Sequence, residues 1–218
     1  LNEAGFLLEE FGSVEELDGV AKSFGMPMGP LRLIDEVGID VSGHAGASLH
    51  EGLGDRLAPS PLLLTLGKID RLGRKGGLGF YRYEKGKEKE VDPEIYGALG
   101  LTATSGNGDR EARAQVIRRR LVLAMINEAA RILDDGIVTA AQDVDLGMIM
   151  GTGFPPFRGG LMRFADTLHP RGIVDRLREL EDGHGARFEP APLLTRLATE
   201  DRTFYEAFPG STGGPRGG

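Results

Sequence analysis

Histidine, the side chain best suited to proton transfer near neutral pH, occurs at His44, His50, His169 and His184. None stands in a His-Glu-x-x-His helix or another metal-ligand spacing. His44 and His50 are six positions apart and do not share a helix face, so surface or capping roles are expected of them. The chain has no Gly-x-Ser-x-Gly elbow and no Walker loop. Gly151-Thr152-Gly153-Phe154-Pro155-Pro156 opens like a dinucleotide fingerprint and then departs from it. Pro156 takes the place of the third glycine, no clear strand precedes the motif, and two prolines lack the N–H groups that such a loop turns towards pyrophosphate. No catalytic residue and no metal ligand is assigned.

Cation clusters come next. Arg118, Arg119 and Arg120 fan around a helix and cannot all face one phosphate, so a solvated face is expected. Arg74-Lys75, in a glycine-rich loop, is the better phosphate candidate, although a solvated loop remains the simpler expectation. Two Gly/Met/Pro bends offer a different chemistry: Met26, Pro27, Met28, Gly29 and Pro30, and Met150, Gly151, Phe154, Pro155 and Pro156. Each sets Met or Phe beside Gly and Pro at a helix junction, giving open backbone against an apolar wall. That suits a narrow slot for an acyl or pantetheine chain. A tight interhelical turn with core-facing Met and Phe accounts for the same residues equally well.

The elements that must position these bends are helical. Capping signals at Ser13 with Glu16, and at Thr139 with Gln142, open helices whose apolar positions recur at helical spacing. Pro30 suits the first turn of a helix over 31–37, and further helices are expected over 40–51, 61–72, 109–135, 161–167, 173–180 and 192–197. Gly73 to Tyr83 reads as a glycine-rich loop running into a short extended aromatic segment. Lys85 to Glu90 is a solvated charge run, and Thr102 to Gly108 is small and polar. The expected organisation is a first repeat over 1–88, a linker over 89–108, a second repeat over 109–205 and a flexible tail over 206–218. Leu1, Ala4, Leu7, Leu8 and Phe11 already follow helical spacing, so the chain is expected to be a fragment that starts inside a helix.

Composition narrows the function classes. The chain of 218 residues carries a net charge of −7, which makes nucleic acid a poor partner. It has no apolar run long enough for a transmembrane helix. It contains no cysteine, which removes thiolate chemistry and agrees with a reducing, cytoplasmic setting.

The halves also resemble each other. Asn2-Glu3-Ala4 returns as Asn127-Glu128-Ala129, and Leu17-Asp18 is matched by Val144-Asp145. Each pair leads through its bend into a short helix ending in Asp, at Asp35 and Asp166. The fold class expected is all-α, with two related helical repeats packed as a pseudo-dimer.

At the bends the sequence resembles a known family. Phe24-Gly25-Met26-Pro27-Met28-Gly29-Pro30, followed by Leu33-Ile34-Asp35-Glu36-Val37-Gly38-Ile39-Asp40, is similar to the C-terminal helical domain of L-3-hydroxyacyl-CoA dehydrogenases. So is Gly73 to Tyr83. Gly151 to Gly160 is similar to the repeat in the multifunctional α-subunit of bacterial fatty acid β-oxidation. The resemblance implies a helical domain of the 6-phosphogluconate dehydrogenase C-terminal type. It implies a parent enzyme with an enoyl-CoA hydratase region, an NAD-binding Rossmann domain and then these repeats. The family's catalytic His and Glu lie in the Rossmann domain, and its Asn lies in an Asn-Arg pair just upstream of this chain, so Asn2 is not that Asn. NAD would then be held by the upstream domain. The bends would meet acyl-CoA, with a thiolase subunit and a second copy as candidate partners, and the fragment alone would be inactive. Many relatives place a substrate-contacting Tyr where this chain has Met150, which loses a hydroxyl donor. The alternative is a non-catalytic helical scaffold in a diverged parent.

Overall fold

A computed structural model describes residues 1–103 and 109–210. It divides into two compact units, Leu1–Leu121 and Val122–Gly218.

In the first unit α1 (Asn2–Phe11), α2 (Val14–Phe24) and α3 (Pro30–Val37) follow in close succession. Ser13 caps α2 by accepting from the Glu16 N–H at 3.2 Å, and Pro30 occupies the first turn of α3. Then come α4 (Ile39–Leu53) and α5 (Pro61–Leu66), which ends short of the expected Leu72. Leu7, Leu8, Leu17, Leu31, Ile34, Leu66 and Phe80 are buried in one core. Each contributes about 1.5–3 kcal/mol by leaving water.

The linker expected over 89–108 is instead folded into this unit over most of its length. β1 (Tyr81–Glu84) and β2 (Lys87–Val91) form an antiparallel hairpin, closed by Lys85 and Gly86 with φ of 51° and 74°. Positive φ at both loop positions matches the twist of the strands. α6 (Glu94–Ala98) then returns Ile95, Tyr96 and Leu99 to the same core as Val91. Residues 89–101 therefore belong to the first unit, and 104–108 lie outside the described residues. The division between units falls within α7 (Arg110–Asp134).

The second unit continues with α8 (Ala141–Thr152), α9 (Leu161–Leu168), α10 (Pro170–His184), α11 (Pro192–Glu200) and α12 (Phe204–Ala207). Thr139 does not cap α8. Ala140 is its N-cap residue, and the Ala141 N–H donates instead to the Phe208 carbonyl at 3.1 Å. The expected tail at 206 is thus ordered at its start, with Glu206 in a capping box with Thr203, while 211–218 lie outside the described residues. The core of this unit includes Phe154, Leu161, Ile173, Leu177, Phe188, Leu194 and Phe204.

Candidate functional site: two carboxylate-locked bends

Asp18 sits on the buried face of α2 and reaches the start of α3. Its two oxygens accept from the Leu31 and Arg32 N–H groups, each at 2.9 Å, and one also accepts from the Tyr81 hydroxyl at 2.8 Å. Those amides are the unpaired donors of the first turn, and a carboxylate there also meets the positive end of the helix dipole. The bend between α2 and α3 is therefore closed from below. Gly29 passes so near this carboxylate that an added Cβ would stand 2.2 Å from Asp18 Cγ. Only glycine fits that crossing.

The end of α3 carries a second lock. Asp35, fully buried, accepts from the Phe80 N–H at 3.0 Å, the Tyr81 N–H at 2.9 Å and the Tyr83 hydroxyl at 2.9 Å. Arg32 donates to the same Tyr83 hydroxyl at 2.7 Å and lies over its ring. Burial pushes the Asp18 carboxyl up to about 6, against the hydrogen bonds from Tyr81, Leu31 and Arg32. Asp35 is also raised by burial, with its three donors opposing.

The second unit repeats the device. Asp145 accepts from the Met162 N–H at 2.5 Å, the Arg163 N–H at 3.2 Å and the Tyr205 hydroxyl at 2.8 Å. Asp166 accepts from the Phe204 and Tyr205 N–H groups at 2.8 and 3.2 Å. Arg163 lies 3.3 Å over the Tyr205 ring, as Arg32 lies over Tyr83. Gly160 passes Asp145 as Gly29 passes Asp18, with an added Cβ only 2.3 Å from Cγ. The repeated Asn is explained too. Asn2 clamps Ala58 and Ser60, and Asn127 clamps Glu189 and Ala191, each pinning the turn ahead of a proline-started helix.

The structure sorts the expected site residues. Met26, Met28 and Pro30 are half-buried, Pro27 is exposed and Gly29 is buried, so the first bend presents a mixed apolar edge. In the second unit Phe154 and Pro155 are buried and Pro156 is exposed. Met150 and Gly151 lie in the last turns of α8 rather than in the bend, and Met150 is 79% exposed. The cation clusters are also placed. Arg74 reaches Glu36 at 2.8 Å and Lys75 reaches Asp40 at 2.6 Å, so both face carboxylates rather than an open anion site. Arg118 and Arg119 are half-buried, but Arg120 departs from the solvated reading. It is fully buried, with Glu3 at 2.5 Å and Glu10 on its other side. Sequence reasoning missed the roles of Asp18, Asp35, Tyr81 and Tyr205. The usable signal was the Phe-Tyr pair at 80–81, which recurs at 204–205.

Among the described residues, no group of His, Cys, Asp and Glu side chains is arranged to hold a metal ion. No helix of the described residues is long and apolar enough to cross a membrane.

Comparison with known proteins agrees with this duplicated plan. The family described as 3-hydroxyacyl-CoA dehydrogenase, C-terminal domain, matches residues 1–83 and again 117–207. The fatty acid oxidation complex subunit alpha of Shewanella amazonensis is 44% identical over 207 residues, covering 94% of this chain and 29% of the relative. That of Vibrio parahaemolyticus is 42% identical over 205 residues, covering 94% of this chain and 28% of the relative. The chain thus spans less than a third of the length of these relatives. In fold it is similar to 3-hydroxybutyryl-CoA dehydrogenase from Escherichia coli, with a TM-score of 0.69 at 23% identity, over 91% of this chain and 57% of the other. The dehydrogenase part of a multifunctional enzyme from C. elegans gives a TM-score of 0.63 at 23% identity, over 89% of this chain and 44% of the other. With both repeats matched, the chain belongs to the family of 3-hydroxyacyl-CoA dehydrogenase C-terminal domains.

Proposed function

We propose that this chain is the substrate-closing and assembly region of an NAD-dependent L-3-hydroxyacyl-CoA dehydrogenase of fatty acid β-oxidation, working in the cytoplasm. The observation that carries the reading is the bend at Met26–Pro30, held rigid by Asp18 inside a stretch that matches the family. Met26, Pro27 and Met28 give that edge an apolar surface for an acyl or pantetheine chain, and the locked amides keep it from shifting as substrate arrives. Phe154, Pro155 and Pro156 give the second bend the same kind of edge. Met150, on the outer face of α8, is left out of that slot.

The described residues do not fit a nicotinamide dinucleotide. The first glycine of Gly151-Thr152-Gly153 is spent inside α8, no strand leads into it, and the two described strands make a hairpin. The four oxygens of Asp18 and Asp35 are all engaged by backbone amides or tyrosine hydroxyls, which leaves them to hold shape rather than to move protons. What this chain contributes to hydride transfer is position and the exclusion of water.

The test is NAD reduction with 3-hydroxybutyryl-CoA by the full-length protein beside this chain at equal concentration. An active full-length enzyme and a silent chain are expected. Turnover by the chain alone, in proportion to its concentration, would contradict the proposal. A folded full-length protein silent with short and long acyl chains would favour a scaffold without chemistry.

A further inference from the structure

The two units differ in one set of bonds that the fold itself does not require. In the second unit Asp166 is held by the Phe204 and Tyr205 amides, and Ala207 stands where the first unit has Tyr83. Two amides therefore suffice to hold a carboxylate at the end of this short helix. In the first unit Asp35 has both amides, from Phe80 and Tyr81, and the Tyr83 hydroxyl in addition. Full burial of Asp35 favours a further donor, which any hydroxyl or amide could supply. The donor present is itself bonded to Arg32, on the helix that follows the first bend.

Arg32 closes a hydrogen-bonded circuit. Its amide donates to Asp18 Oδ2 at 2.9 Å, and its guanidinium donates to the Tyr83 hydroxyl at 2.7 Å. The Tyr83 hydroxyl donates to Asp35 Oδ2 at 2.9 Å, and the same oxygen accepts from the Tyr81 amide at 2.9 Å. The Tyr81 hydroxyl then donates back to Asp18 Oδ2 at 2.8 Å. Both helices that flank the Met26–Pro30 bend belong to the circuit, and β1 completes it from far along the chain. Asp18, Asp35, Tyr81 and Tyr83 are all buried, so water does not compete for these bonds, and each polarises the next. Glu36 and Glu88 hold the outer side of the Arg32 guanidinium. In the second unit Arg163 instead lies directly over the Tyr205 ring at 3.3 Å, and Ala207 has no hydroxyl to join it to Asp166.

We propose that Tyr81 and Tyr83 are positioning residues for an acyl-CoA substrate, acting through Asp18 and Arg32 on the bend at Met26–Pro30. This rests on the reading of that bend as an edge of the substrate slot. The circuit ties both sides of the bend to β1, so the apolar edge of Met26, Pro27 and Met28 keeps one position before substrate arrives. An edge fixed in advance needs no ordering when the acyl or pantetheine chain lies against it. Loss of either hydroxyl should therefore weaken substrate binding and leave the chemical step alone.

The experiment is steady-state kinetics of the full-length protein with 3-hydroxybutyryl-CoA and NAD. Tyr83→Phe and Tyr81→Phe each open the circuit and keep the aromatic ring. Each should raise KM for the acyl-CoA about five- to tenfold, with kcat and KM for NAD changed by less than about twofold. The double variant should raise KM no further than the larger single effect, because one opening is enough. Tyr96→Phe is the control. Its hydroxyl accepts from the Val14 N–H and donates to Glu15, both at 3.1 Å, in the same unit but outside the circuit. It should lower Tm as much as Tyr83→Phe does and leave KM unchanged. Equal KM for Tyr83→Phe and Tyr96→Phe, a fall in kcat without a rise in KM, or multiplying effects in the double variant would overturn the proposal. A folded full-length protein that does not turn over the acyl-CoA would instead remove the reading of the bend, and the proposal with it, which separates the two failures.

Discussion

The two units build the same lock from different connections. In the first, the partners of Asp35 arrive at the start of a strand, where Phe80 and Tyr81 turn their N–H groups inward. In the second, the partners of Asp166 are the first residues of α12, whose N–H groups are free because they open a helix. A carboxylate needs only two successive donors and does not discriminate between strand and helix. The units also differ in their fourth helix. α10 buries Ile173, Val174, Leu177 and Leu180, whereas α4, of equal length, buries only Ile39. Its matching positions are Ser42, Gly43, Gly46 and Leu49, three of them too small to build a packed face. The lock was retained through duplication, while the packing around it diverged.

That comparison can be broken most forcefully at Arg120. Arg120→Ala leaves Glu3 buried without its cation, at a cost of about 3–5 kcal/mol. Urea unfolding should show the loss in the first unit, with probes on α10 to α12 little changed. Asp35 and Asp166 sharpen the contrast next. Asp35→Ala strands three donors in a fully buried setting and should cost about 3 kcal/mol. Asp166→Ala affects the start of a short helix beside a half-buried carboxyl and should cost about 1 kcal/mol. Equal losses would mean that the two locks bear equal loads.

A smaller effect is the response to pH. The Asp18 carboxyl is raised by burial from 3.8 to about 6, so between these values the folded chain binds more protons than the unfolded one. Its contribution therefore favours folding as pH falls through 6 and is lost as pH rises above it. Relative to Asp18→Asn, which cannot titrate, the wild type should gain on the order of 2 kcal/mol or less between pH 7 and 4. Asp35, whose charge helps to raise Asp18, faces the same site, so the difference reads the coupled pair of carboxyls. Parallel pH profiles for the two would contradict this. Least affected should be Arg74→Ala and Lys75→Ala, whose pairs with Glu36 and Asp40 are solvent-exposed. Each should change stability by less than about 1 kcal/mol in thermal unfolding.

Much of this architecture was legible in the sequence because caps, prolines and apolar periodicity are local signals. Helices α2, α3 and α7 lie within a residue or so of their expected bounds. The repeated Asn-Glu-Ala and the Asp at the end of each short helix marked the duplication correctly, yet not its purpose. The partners of Asp35 lie about 45 residues away, so the recurring Phe-Tyr pair does not by itself say which carboxylate it meets. Arg120 was unreadable for the same reason, since its partners Glu3 and Glu10 are more than 100 residues distant. The hairpin escaped because β2 offers four exposed residues and a single buried Val91, which gives no alternation to follow. Composition pointed to the bends, but that Met150 and Gly151 belong to α8, and which of the other residues face inward, required the fold.

The most direct test of the duplicated lock is amide hydrogen exchange at Leu31, Arg32, Met162 and Arg163 in Asp18→Ala and Asp145→Ala. The lock predicts that Asp18→Ala deprotects only Leu31 and Arg32, and Asp145→Ala only Met162 and Arg163. Unchanged protection at either pair would show that its carboxylate does not hold the bend.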